Sequence, residues 1–307
     1  MENKKINKIQ KINIGKAGHF DIDLPLIRIG TGSPKVTILT GMHGDEFSGL
    51  LIIKKLLDKL ELKTGTLQII LCANPIAGFS KTRESTIDST DLNRCFPGNP
   101  NGTITERLAN KLTHIMADSD LVIDIHNMQN KTKPTLLLIS CNNKTDEKTI
   151  EIIKVFNAER VWKIHAISEE KYSQTLGAFL ARQMIPHFAV EVDAIETASE
   201  DDINFIINGI ENVLAKFKMV EKEIIEKELK YFKRMQLFSH TAGIFTPLKE
   251  VDEEIKEGED IGGILNINEF VEEPVKCQNK GFVCDISKRK FVHEGEHIAS
   301  IGEVIKE

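Results

Sequence analysis

Cysteine is sparse and unpatterned in this chain of 307 residues. The five cysteines (Cys72, Cys95, Cys141, Cys277 and Cys284) are an odd number, widely scattered, with no C-x-x-C pair. That excludes a cysteine-built zinc site and points to reduced thiols in a cytoplasm. Long apolar runs are missing too, and no window is long enough to span a bilayer. The basic N-terminus MENKKINKIQKINIG is followed by no apolar core, so it does not read as a secretory signal. Positive charge is in deficit: a formal net charge of −6 disfavours nucleic acid or an anionic membrane as partners. A small pocket with a few arginines can still bind an anion. Low-complexity tracts and internal repeats are also lacking.

What remains is an ordinary globular composition, long enough for one large domain and a smaller one. Residues 11–30 (KINIGKAGHFDIDLPLIRIG) alternate polar and apolar and read as a β-hairpin. Apolar runs of strand length then recur: VTILT (36–40), LQIILCA (67–73), LVIDI (121–125), TLLLIS (135–140), VWKIH (161–165) and HFAVEVD (187–193). Between them, helical periodicity covers 46–62, 105–116, 146–158 and 174–184. Such strands alternating with amphipathic helices predict an α/β fold, a mostly parallel mixed sheet with helices on both faces. From Ser199 to about Arg234 the pattern predicts one long or bent amphipathic helix, its charge run a solvated face. Short alternating strands broken by glycine and acidic turns follow, a small all-β module. The expected division is residues 1–236 and 237–307.

GMHGDEFSG (41–49) lies where the first of these strands becomes a helix. Its plainest meaning is a helix start, with Asp45 or Ser48 as cap and His43 incidental. Ligands of open α/β sheets, however, sit at the carboxyl ends of the strands. Those ends carry His43 with Glu46, Asn74, Asp124 with His126, and Glu191. A catalytic zinc takes three protein ligands and keeps one position open, which a His/Glu/His set supplies. Glu191 is then available as a general base or acid. The long polar loop KTRESTIDSTDLNRCFPG (81–98) adds Arg83 and Arg94, groups suited to a carboxylate or a developing oxyanion.

HGDE (43–46), DLNRCFPG (91–98), DIHN (124–127) and VEVD (190–193), in this order, resemble the succinylglutamate desuccinylase/aspartoacylase family of zinc carboxypeptidase-like hydrolases. The terminal β module is similar to that family's C-terminal domain. The resemblance implies one Zn2+ per chain on His43, Glu46 and His126, with Glu191 activating water and passing a proton to the leaving amine. It further implies that Arg83 stabilises the oxyanion, that Asn93 and Arg94 grip the substrate carboxylate, and that Asp91 orients the first zinc histidine. Two departures stand out. Asp193 replaces the glycine of the family's Glu-x-Gly, and either selects a cationic substrate group or points away. The only tyrosines, Tyr172 and Tyr231, lie outside the β module, unlike the substrate tyrosine of aspartoacylase itself.

HEGEH (293–297) fits a zinc motif formally, but Gly295 and the alternation around it predict a hairpin tip. The module also has the texture of biotinyl or lipoyl carriers, with Lys288 or Lys290 at a tip, yet lacks the Met-Lys-Met setting. A lid or assembly surface is the better expectation. The expected activity is zinc-dependent hydrolysis of the amide of an N-acylated amino acid or similar small amine. The competitors are a carboxypeptidase on short peptides and a zinc-binding scaffold without catalysis. The expected partners are small molecules, with neither nucleic acid nor membrane, and a homo-oligomer is left open.

Overall fold

The computed structural model describes residues 9–165 and 169–305; the basic residues 1–8, read above as part of no secretory signal, lie outside them. The alternating N-terminal segment forms the expected antiparallel hairpin of β1 (Gln10–Ala17) and β2 (Phe20–Thr31). The apolar runs become β3 (Lys35–Thr40), β4 (Gly65–Ile70), β5 (Leu121–Met128), β7 (Thr135–Ser140), β8 (Arg160–His165) and β9 (His187–Asp193). A two-residue strand, β6 (Lys131–Thr132), lies between β5 and β7. The helices are α1 (Ser48–Lys59), α2 (Pro75–Ser80), α3 (Ile104–Met116), α4 (Lys144–Ile153), α5 (Leu176–Arg182) and α6 (Glu200–Lys216).

Strand order is β1-β2-β4-β3-β5-β9-β7-β8. β3 runs parallel to β4 and β5, β5 to β9, and β7 to β8, whereas β7 lies antiparallel to β9. The sheet is therefore mixed, as expected, and each face has its own core. Ile52, Ile53 and Leu56 of α1 and Ile203, Ile206 and Ile210 of α6 pack with Ile38 and Ile123 on one face. Leu108 and Leu112 of α3 and Leu176 and Leu180 of α5 pack with Leu39 and Val122 on the other. Burying each such side chain contributes about 1.5–3 kcal/mol, enough in sum to hold the strand ends rigidly.

The expected long helix after Ser199 is corrected. It ends at Lys216, residues 219–229 contain no regular element, and β10 (Lys230–Phe238) follows. The charged stretch has helical texture, but β10 satisfies its backbone on both sides, parallel to β8 and antiparallel to β17 (His297–Ile305). Tertiary pairing here overrides a local preference. Through β10 the sheet continues into β17, β15 (Gly281–Ile286) and β12 (Glu254–Ile255), with β6 also pairing β15. A separate antiparallel sheet of β14 (Val271–Lys276), β13 (Asp260–Asn266), β11 (Gly243–Pro247) and β16 (Lys290–Val292) packs against it over Phe245, Ile264, Val283 and Ile301. Residue 237 falls near the end of β10.

Candidate active site

The register between β5 and β9 sets out the site. His126 lies directly opposite Glu191, Asp124 opposite Ala189 and Val122 opposite His187. Alternation along a strand puts all six side chains on one face. His43 and Glu46 come from the turn after β3, which α2 covers closely. A Cβ on Gly44 would stand 1.9 Å from the Ala77 carbonyl carbon, so only glycine fits. Neither Asp45 nor Ser48 caps α1, which has no side-chain cap. Ser48 instead ties the turn to the sheet, its Oγ donating to Asp193 O at 2.8 Å and its N–H to Asn127 Oδ1 at 3.2 Å.

Glu46 sits between the two imidazoles. Its Oε1 is 2.6 Å from His43 Nδ1 and its Oε2 2.9 Å from His126 Nδ1. One ligand atom from each of the three residues lies within 4.8 Å of the others, and all three are buried. The far side of each ring meets another carboxylate: His126 Nε2 is 2.7 Å from Asp124 Oδ2, and His43 Nε2 is 3.4 Å from Asp91 Oδ1. The first is a hydrogen bond; the second is an ion-pair distance that leaves His43 Nε2 without a hydrogen-bond partner. Carboxylates that draw the Nε2 proton leave Nδ1 free to donate a lone pair to a cation, so this donor set fits a divalent metal.

The charges follow from that arrangement. Burial alone would raise the Glu46 carboxyl, but His126 and His43 bring it down to about 2. Burial alone would lower His126, but Asp124 and Glu46 outweigh it and hold the imidazole well above its ordinary value. His43 moves the same way, burial being outweighed by Asp91 and Glu46. Glu191 is pushed above the usual carboxylate range chiefly by burial, with Glu46 adding to the rise and His126 opposing it. It lines the cleft beside the histidines without a salt bridge to either.

The cleft encloses about 470 Å3, and His43, Glu46, His126, Glu191, Arg83, Asn93 and Arg94 all line it. The last two ride on a single helical turn, Leu92–Arg94, anchored by buried Leu92 and capped by Asp91, whose Oδ1 accepts from Asn93 N at 2.8 Å. Asn93 Oδ1 accepts from Leu176 N at 2.9 Å, and the Arg94 guanidinium lies 6.0 Å from the Tyr172 ring. Asp91 borders the site without lining the cleft; its Oδ2 accepts from Arg83 at 3.0 Å.

Sequence reasoning missed part of this. The strand-end position of Asp124 does not by itself announce its partner, although D-x-H places it beside His126 on one strand face. Trp162 and Tyr172, and Arg234, Gln236, Lys290, Glu296 and His297 from the C-terminal strands and turns, form the remaining wall and carry no local motif. Arg234 stacks 4.9 Å from the Trp162 ring and is clamped by buried Asp285, at 2.8 Å and 2.9 Å. HEGEH is a turn as expected but not a hairpin tip: β16 pairs β11 whereas β17 pairs β10 and β15, so the turn links the two sheets, with Glu296 paired to Lys290 at 2.8 Å. Asp193 points away from the cleft, accepting from Thr132 N at 2.8 Å.

The model of the succinylglutamate desuccinylase/aspartoacylase catalytic domain matches residues 32–217. A curated relative, N-alpha-acetyl-L-2,4-diaminobutyric acid deacetylase of Halomonas elongata, is 25% identical over 94% of this chain and 87% of its own. A succinylglutamate desuccinylase/aspartoacylase structure from Rhodobacter sphaeroides has the same fold, with a TM-score of 0.83 and 22% identity over 97% of this chain and 95% of that one. The product-bound ectoine utilization protein EutE (DoeB) of Ruegeria pomeroyi superposes with a TM-score of 0.84, at 21% identity over 96% of this chain and 94% of that one. The chain belongs to the succinylglutamate desuccinylase/aspartoacylase family. It is accordingly a hydrolase of the deacylase type. No helix among the described residues is long and apolar enough to cross a membrane.

Proposed function

We propose that this enzyme hydrolyses the amide of an N-acylated amino acid or similar small N-acyl amine, using one Zn2+ per chain on His43, Glu46 and His126. The observation that carries the reading is the convergence of those three donors beside Glu191, across the β5–β9 register from His126. The name of the Halomonas relative supports an α-N-acyl amino acid as substrate class.

When bound, the metal supplies Lewis acidity to the amide carbonyl and to the attacking water. Glu191 takes a proton from that water and returns it to the leaving amine, a role helped by a carboxyl whose pKa is raised by burial. Arg83, held by Asp91, faces the oxyanion. Asn93 and Arg94 grip the substrate carboxylate, the guanidinium offering a planar fork. Asp91 and Asp124 fix the two imidazoles. Residues 237–307 act as a module whose turns close one side of the cleft, which favours a short substrate over a long peptide. We read the enzyme as cytoplasmic, with small molecules rather than nucleic acid or membrane as partners, and able to form a homo-oligomer.

A panel of N-acyl amino acids and dipeptides tests this. Turnover confined to the N-acyl amino acids is expected. Preference for dipeptides would make the protein a carboxypeptidase, and zinc binding with no turnover at all would make it a scaffold.

A further inference from the structure

Behind His126, adjoining the cleft and sharing Asn93, Leu137 and Ile139 with it, lies a small cavity of about 30 Å3. Asn93, Asp124, His126, Gly177 and His187 supply its polar and open side, and apolar side chains close the rest. Two buried polar atoms on its lining residues have no hydrogen-bond partner: Asp124 Oδ1 and His187 Nε2. They do not serve the chemistry described above, since Asp124 holds His126 through its other oxygen.

The chemistry of these two atoms defines what belongs between them. His187 Nδ1 is 3.1 Å from the Ile185 carbonyl, which can only accept, so the ring proton sits on Nδ1 and Nε2 is left as an acceptor. The Ile139 carbonyl also interacts with the ring, but not with the geometry of a full hydrogen bond at Nε2. Asp124 Oδ1 is an acceptor as well. Two acceptors cannot satisfy each other. The register places His187 one pair along from Asp124 on the same face of neighbouring strands, and both side chains line the cavity. A shared cavity lined by two unpartnered acceptors suits one small bridging molecule with two donors. Water is such a molecule, and it needs only about 10–15 Å3 of accessible space.

We propose that this cavity is a built water site, in which one water donates to Asp124 Oδ1 and His187 Nε2. The bridge fixes Asp124, and through it the His126 ring, so His187 is a positioning residue for the metal site. Asn93 lines both the cavity and the cleft, so the same site adjoins the group that grips the substrate carboxylate. The metal half of this inference rests on the reading given under Proposed function; the water half does not.

Gly177 gives a way to displace the water while leaving every polar group in place. A Cβ there would stand 3.3 Å from His187 Nε2 and 2.8 Å from the mobile end of Ile139. Gly177→Ala also favours its helix, so weakened metal binding would not reflect loss of fold. The test combines a high-resolution crystal structure of the parent enzyme, zinc-free and zinc-loaded, with zinc affinities measured by chelator competition. An ordered water within hydrogen-bonding distance of both atoms is expected in both crystals. Gly177→Ala and His187→Leu should each weaken zinc about 10-fold, the low end for partners of metal ligands, and His187→Gln should recover most of the loss. A dry cavity, or a direct Asp124–His187 bond, would overturn the water site. Unchanged zinc affinity in both Gly177→Ala and His187→Leu would overturn the positioning role even with the water present. A parent enzyme that binds no zinc defeats the deacylase reading instead, and the zinc-free crystal still decides the water.

Discussion

The two walls of the cleft are built by different rules. One wall is the carboxyl edge of β3, β5 and β9, where His43, Glu46, His126 and Glu191 each stand within a few residues of a strand end. The other gathers Trp162 from β8, Arg234 from β10 and His297 from β17, held by Asp285 of β15. On the first wall, polar groups are buried in mutual contact around Glu46. On the second, a buried ion pair braces an aromatic ring. On the function proposed above, the contrast separates chemistry from enclosure: one wall would hold the reacting groups, while the other would set the size of what enters.

This difference can be broken from either side. The largest effect belongs to the first wall. Glu191→Gln keeps shape and most hydrogen bonding but cannot take a proton from water, so kcat should fall on the order of 10²–10⁴-fold with zinc still bound. Steady-state kinetics with metal analysis checks this, and loss of zinc would show that Glu191 is a ligand.

On the second wall the expected loss is one of stability. Asp285→Ala strands the Arg234 guanidinium, whose side chain is only 10% exposed, and breaking such a pair costs about 3–5 kcal/mol. Thermal unfolding of the zinc-loaded enzyme measures it; a melting temperature within a degree of the parent's would show the wall to be indifferent to the pair. A smaller effect is expected from Arg94→Lys, which retains charge but loses the planar fork. KM should rise roughly 10-fold, equivalent to about 1.4 kcal/mol, with kcat changed less. A fall in kcat at constant KM would move Arg94 from binding to chemistry.

The gentlest probe is pH. His43 and His126 hold their protons more firmly than ordinary imidazoles in the metal-free protein, so zinc must displace protons to bind. Zinc affinity should therefore weaken as pH falls from neutrality and strengthen as it rises. An affinity flat across pH 6 to 8, on titration with a competing chelator, would contradict it.

The same contrast explains what could be read from the sequence. H-x-x-E, D-x-H and a glutamate ending a strand are local patterns, and the α/β frame assigns them one common edge. The second wall has no such pattern. Arg234 lies in a charged stretch with helical texture and becomes a strand residue only because β8 and β17 flank it. Its partner Asp285 is 51 residues away, a distance no local spacing encodes. Asp193 shows the opposite failure: alternation puts it on the face of Glu191, but the Thr132 amide captures its carboxylate where the strand ends.

On the proposed function, hydrolysis depends on a metal held by His43, Glu46 and His126. Zinc per chain, measured alongside turnover of an N-acetyl amino acid, tests it most directly. The purified enzyme should carry one zinc, lose activity when a chelator strips it and regain activity when zinc is restored, while His43→Ala and His126→Ala carry little metal at neutral pH. Undiminished zinc in both variants, or full turnover by the stripped enzyme, would contradict that dependence.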